Sequence, residues 1–186
     1  MFHKQKAFYT PIYSSNIDIN EDYKKQVLTD IDAYVQSEDI EDDRQLFDGR
    51  KGYYSTEMSF DNVKIPSLNA LVLALQDKII EGVSGDLRIT EYGININPHK
   101  TYQTIINNSN DALYNGVYLL QCGDQHGIYN GEMRLINPNT YQTPIYHSVL
   151  ANEGLLYLWP GPVMYEVLPV KSLVDRVSIV LSVNEA

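Results

Sequence analysis

From residue 86 onward the chain breaks into short runs rich in β-branched and aromatic residues, and this change of period constrains the fold most. LRITEYGININ, TYQTII, LYNGVYLLQC, GEMRLINP, GLLYLWP, VMYEVLP and DRVSIVLSVN are separated by Gly, Pro, Asn and Asp. Runs of that length between turn-forming residues read as strands. The first half carries a different period. A short strand over 8–12 contains Pro11, which suits an edge or a strand start. Asn20 is suited to cap a helix over 21–36, in which Tyr23, Val27, Ile31, Tyr34 and Val35 recur at helical spacing. After Pro66, a stripe of Leu68, Leu71, Val72, Leu75, Ile79 and Val83 predicts a second helix, with Gly82 and Gly85 as its stop.

Two helices followed by about seven or eight strands predict an α+β chain that is mainly β. The expected architecture is a double-stranded β-helix, or jelly-roll, over 86–183, supported by two N-terminal helices. We expect a single domain over 1–186, with the first strand and the helices in 1–85 and the jelly-roll strands in 86–186. No repeat of fixed period and no low-complexity segment interrupts it.

Charge narrows the partners. Lysine and arginine number 14 against 24 acids, for a formal charge of −10. Such a surface repels phosphate backbones, so no nucleic-acid partner is expected. The ordinary reading of the charge is solubility, and the acid-rich stretch EDIEDDRQLFDGRKG reads as a solvated loop. Cys122 is the only cysteine, which excludes an internal disulfide and a cysteine zinc cluster. Within an apolar strand it reads as a buried, inert thiol, with a lean toward a reducing compartment. The N-terminus, MFHKQKAFYTPIY, has no apolar signal core, and the longest apolar run, LNALVLAL, is far short of a membrane span. No membrane partner is expected, and the chain reads as soluble and used inside a cell.

Little in the sequence supports catalysis. A jelly-roll enzyme usually holds a metal through imidazoles and a carboxylate, and the histidines here are His3, His99, His126 and His147. His3 falls in the terminus, His99 in a turn after Pro98, and His147 in a loop-like PIYHSV stretch. Asp124 and His126 form a D-x-H pair able to chelate a divalent ion, in a Gly-rich connection that otherwise reads as a hairpin tip. There is no G-x-S-x-G elbow, no phosphate loop, and no basic residue beside Cys122 to activate it. Glu91, Glu132 and Glu166 are not paired as acid and base by any spacing. The fifteen tyrosines, including Tyr92, Tyr102, Tyr114, Tyr118, Tyr157 and Tyr165, suit half-buried strands and also interfaces.

Taken in order, several segments resemble the phage-associated branch of the 2-oxoglutarate/Fe(II)-dependent dioxygenases. AFYTPIYSSNID resembles that family's opening, and GYYSTEMSFDN with LNALVLALQDKI its next block. GININPHKTYQ, LYNGVYLL, GEMRLINP, EGLLYLWPGPVMYEVLP and DRVSIVLSVN follow in family order over nearly the whole chain. The resemblance implies a histidine pair, or a histidine and an acid, just ahead of the N-G-V-Y strand. It further implies a third histidine after W-P, and an arginine about ten residues later that clamps the distal carboxylate of 2-oxoglutarate. Here the first pair falls in INNSN, near Asn107 and Ser109, and the third position is Tyr165. Amide, hydroxyl and phenol oxygens replace imidazoles poorly around Fe(II). Arg176 and Ser178 remain as a vestige of the cofactor-binding end.

The resemblance thus implies the fold with its iron positions vacated. We expect a catalytically inactive oxygenase-like jelly-roll, without cofactor, reused as a binding or assembly protein. Its partners would be other protein subunits, as a structural or accessory component of a phage particle, located in the host cytoplasm and the virion. Loops 39–50 and 123–131 and the tyrosine-rich strands are the expected docking surface, and Arg176 is expected to pair with an internal acid or backbone carbonyls. The alternative is an active Fe(II)/2-oxoglutarate dioxygenase with displaced ligands drawn from Asp111, Asp124, His126 or His147.

Overall fold

The computed structural model describes residues 2–7, 10–37, 54–58, 60, 63–106, 111–123, 130–137 and 146–186. Its elements run β1 (His3–Ala7), β2 (Thr10–Asn16), α1 (Glu21–Ser37), β3 (Tyr54–Met58), α2 (Pro66–Gly82), β4 (Leu87–Asn97) and β5 (Gln103–Ile106). The second half continues with β6 (Tyr114–Gln121), β7 (Met133–Ile136), β8 (Tyr146–Val149), β9 (Leu155–Pro160), β10 (Met164–Val167) and β11 (Arg176–Glu185). They form a seven-stranded sheet, ordered β1-β2-β9-β6-β11-β4-β3, and a four-stranded sheet, ordered β5-β10-β7-β8. Every described pairing is antiparallel. This is the expected jelly-roll with two supporting helices.

The helices form where the apolar stripes place them. Asn20 caps α1, its Oδ1 accepting from the Asp22 amide at 2.7 Å. Val27 and Ile31 are its buried face. The helix α2 starts on Pro66 with no side-chain cap, and Leu68, Leu71, Val72, Leu75 and Ile79 are fully buried. Gly82 is its last residue, packed so closely that a Cβ there would lie 1.9 Å from Phe2 Cδ2. Gly85, at φ +126°, turns the chain into β4.

Strand alternation then divides the interior in two. Along β11, Val177, Ile179, Leu181 and Val183 join α1, α2 and Tyr118 in one apolar cluster beneath the helices. The other face of the same sheet meets the four-stranded sheet. Val117, Leu119, Tyr157 and Trp159 pack there against Met133, Leu135, Tyr165 and Val167. Residues of β11 alternate with the first set, so Arg176, Ser178 and Ser182 point into this second space.

The structure departs from expectation at β1, at His3 and at β8. The first strand is a hairpin, β1 with β2, that pairs Pro11 with Lys6. Pro11 lacks an N–H to give, and β2 meets β9 only over Tyr13 to Asn16, so no ladder bond is lost. His3 is an exposed residue of β1 rather than a frayed end. His147 lies on β8, a strand where a loop was expected.

The α2 stripe is fully buried against the seven-stranded sheet. Leu71→Ala should lower unfolding free energy by about 2–5 kcal/mol without changing the denaturant m-value. Urea titration followed by circular dichroism measures both.

Candidate functional site

The side chain that defines the site is Arg176, 1% exposed at the first position of β11. The ladder sets Arg176 opposite Asn97, and Ser178 opposite Asn95, on β4. The guanidinium Nη1 donates to Ser178 Oγ at 2.9 Å and to Asn97 Oδ1 at 3.3 Å. Nε and Nη2 have no hydrogen-bond partner. These two atoms share one edge of the guanidinium plane, the edge that receives a carboxylate bidentately. Burial holds the guanidinium pKa below its ordinary value, opposed by the Cys122 thiol and the Tyr165 phenol nearby. Among the described residues no acid pairs with Arg176 and no backbone carbonyl accepts from it, which corrects the expected internal pairing. The physical reason is the ladder register: the neighbours it supplies on β4 are neutral amides.

Other buried polar groups share this end of the barrel. Gln103, on β5 opposite Val167, is 2% exposed, and neither Nε2 nor Oε1 has a partner. Asn97 Nδ2 and Asn95 Oδ1 are also buried and unpartnered. Backbone bonds lace the surrounding segments together. Lys100 N donates to Val170 O at 2.7 Å, Val170 N to Thr101 O at 2.9 Å, and Gly131 N to Pro169 O at 3.2 Å. Asn130 Oδ1 accepts from the amides of Lys171 and Ser172 at 2.6 and 3.2 Å. Gly131 has φ +59°, and a Cβ on it would lie 3.0 Å from Arg176 Cδ. A side chain there would press on the arginine stem.

Fe(II) does not fit this residue set. Tyr165, on β10, is 1% exposed, and its ring packs edge-on to Trp159 at 5.4 Å. The register sets Tyr165 opposite Ile106, the residue before 107–110. That segment reads Asn-Asn-Ser-Asn and brings no imidazole or carboxylate. Among the described residues, no group of three His, Cys, Asp or Glu side chains could hold a metal ion. A neutral phenol, amides and a hydroxyl are weak donors for a site that needs imidazoles and a carboxylate.

The remaining sequence candidates scatter. Asn107, Ser109, Asp124 and His126 lie outside the described residues, as do loop 39–50 and most of 123–131. Asp111 is exposed ahead of β6. His147 lies opposite Leu135, which separates it from Tyr165 by one strand. His99 Nδ1 lies 3.0 Å from Ser172 O. Ser178 does stand beside Arg176. Of the strand tyrosines named above, Tyr92, Tyr118, Tyr157 and Tyr165 are buried at 8% exposure or less, whereas Tyr102 and Tyr114 are half-buried. Two of the buried hydroxyls are paired, Tyr118 donating to Ile17 O at 3.0 Å and Tyr92 to Asn69 Oδ1 at 3.2 Å. Asn95, Asn97 and Gln103 were missed. For the two asparagines a signal exists in GININ, where amides at alternate positions share a face opposite Ile94 and Ile96.

No protein-family model matches the chain, and neither does any curated protein. Solved structures do. One is the non-heme α-ketoglutarate-dependent carbocyclase SnoK from nogalamycin biosynthesis, at TM-score 0.71 and 10% identity, covering 95% of this chain and 80% of that one. A Pseudomonas putida prolyl-4-hydroxylase matches at TM-score 0.63 and 14% identity, over 94% of this chain and 92% of its own. A 2OG-Fe(II) oxygenase family oxidoreductase from Burkholderia pseudomallei matches at TM-score 0.56 and 16% identity, over 91% and 95%. The chain therefore has the jelly-roll fold of the 2-oxoglutarate oxygenases. At these identities the likeness establishes the fold alone.

Cys122 is buried at 3% exposure, and burial pushes its pKa up to about 11 despite the opposing Arg176 charge. The thiolate is the reactive form, so the folded protein should resist a disulfide reagent at pH 8 and react fully in urea. Rapid modification of the native protein would contradict the buried placement.

Proposed function

We propose that this chain is a non-catalytic binding protein built on the oxygenase jelly-roll, and that it takes a small carboxylate at Arg176 without a metal. The observation that carries this reading is the buried guanidinium with both donors of one edge open and no acid paired with it among the described residues. A charge out of water without a partner is costly, and a bidentate carboxylate would supply the missing charge and both acceptors. The phenol and amides at the positions where the resembling family keeps iron ligands speak against an oxygenase reaction. No redox step is assigned to any residue here.

The test uses the full-length protein in buffer containing a chelator. Glutarate and 2-oxoglutarate should bind with Kd below about 1 mM. Arg176→Met should abolish that binding while leaving the circular dichroism spectrum unchanged. Separately, the protein reconstituted anaerobically with Fe(II) should not decarboxylate 2-oxoglutarate. Stoichiometric, tightly held iron with turnover of 2-oxoglutarate would overturn the reading and restore the displaced-ligand enzyme.

A protein partner is the second reading, and exposed apolar side chains favour it. Leu173 is 87% exposed and Leu150 65% exposed, in chain segments outside the sheets. Following the sequence resemblance, the partners would be other subunits of a phage assembly. Copurification with particles in fixed stoichiometry, lost in a double Leu150→Ser and Leu173→Ser variant, tests it. A chain absent from particles would contradict it.

A further inference from the structure

The orphaned polar groups around Arg176 are of two kinds. The guanidinium edge wants a negative charge. Gln103 wants something else, because its amide presents one unpaired acceptor and one unpaired donor at 2% exposure. A second carboxylate would satisfy Nε2 but leave Oε1 facing negative charge. A ketone would satisfy only the donor. A primary amide offers a donor and an acceptor side by side and can exchange two hydrogen bonds with a glutamine amide.

Gln103 lies in the same part of the barrel as the guanidinium. It follows Thr101 by two positions, and Thr101 is bonded through its carbonyl to Val170 at 2.9 Å. Val170 Cγ2 and Arg176 Cδ both crowd the point where a Gly131 Cβ would stand, at 3.4 and 3.0 Å. Val167, opposite Gln103, belongs to the apolar cluster between the sheets, so the glutamine side chain shares that interior with Arg176. Beside the guanidinium, Asn97 is anchored to Nη1 through Oδ1 and leaves Nδ2 unpartnered. Tyr165 and Trp159 supply apolar wall nearby in the same cluster.

We propose that Gln103 is the specificity-determining residue of the barrel, selecting a short acid that carries a primary amide at its far end. Such a ligand does not chelate, in contrast to a 2-oxo acid. This inference rests on the reading of Arg176 as a carboxylate site, and it assigns the other end of the ligand. An α-amino acid is disfavoured, because its ammonium would find no acid among the described residues of this interior.

The experiment is isothermal titration of the full chain, in chelator, with glutaramate, glutarate and 2-oxoglutarate as probes. Wild type should bind glutaramate about tenfold more tightly than either diacid, a difference equivalent to about 1.4 kcal/mol. The near-isosteric Gln103→Met variant should still bind acids through Arg176 and lose the preference to within about twofold. Gln103→Glu, which replaces the donor with a charge, should weaken all three acids. A melting temperature for Gln103→Met at or above that of wild type would confirm that the variant is folded, since it removes an unsatisfied buried amide. If the acids bind equally well to wild type, or if the preference survives Gln103→Met, the glutamine does not read the ligand. If no acid binds wild type at all, the carboxylate site itself is wrong, and this inference falls with it.

Discussion

A buried guanidinium with no counter-charge among the described residues is the feature on which the rest of the structure turns. Taking such a charge out of water costs several kcal/mol even after relaxation. Arg176 is held there by its position on β11, whose alternate residues Val177, Ile179 and Leu181 are fixed beneath the helices. If those residues fill the helix-side core, the arginine must face the other sheet. Packing on one side of a strand thus imposes a buried charge on the opposite side.

The surrounding structure steadies that charge without neutralising it. Nη1 is pinned by Asn97 and Ser178, which fixes the plane of the fork and leaves its other edge open. Gly131 passes close to the arginine stem in a left-handed conformation, and the 98–102 and 168–172 segments are joined by backbone bonds. Under the proposed reading, these fixed hydrogen bonds would leave less ordering to oppose the binding of a carboxylate. Each orphaned group otherwise costs about 1–3 kcal/mol. Among the described residues, no three His, Cys, Asp or Glu side chains converge to hold a metal ion.

Much of this was legible in the sequence. Both helices could be placed because their stripes are long and periodic, and the strands β4, β6, β9 and β11 because their apolar runs end in clear turn residues. β1 was not, because HKQKA carries the lysines of a protected edge strand and little apolar pattern. Nor was β8, whose four residues form an edge paired on one side only. At the site, Arg176, Ser178 and Tyr165 were found through resemblance, whereas Gln103 was not. A glutamine in a four-residue strand carries no sequence sign of being buried, and its significance comes from the pairing of β5 with β10. The tyrosines show the same reason: abundance on strands does not tell which face each takes, and Tyr92, Tyr118, Tyr157 and Tyr165 turn into the core.

The direct measurement is the thermal stability of Arg176→Met against wild type, by calorimetry in metal-free buffer, with and without glutarate. An uncompensated guanidinium kept for a ligand predicts that the methionine variant is at least as stable as wild type when no acid is present. Glutarate should then raise the melting temperature of wild type alone. A loss of about 3–5 kcal/mol in the variant, with no effect of glutarate on either protein, is what a structural arginine in a satisfied network would give, and it would contradict the carboxylate site.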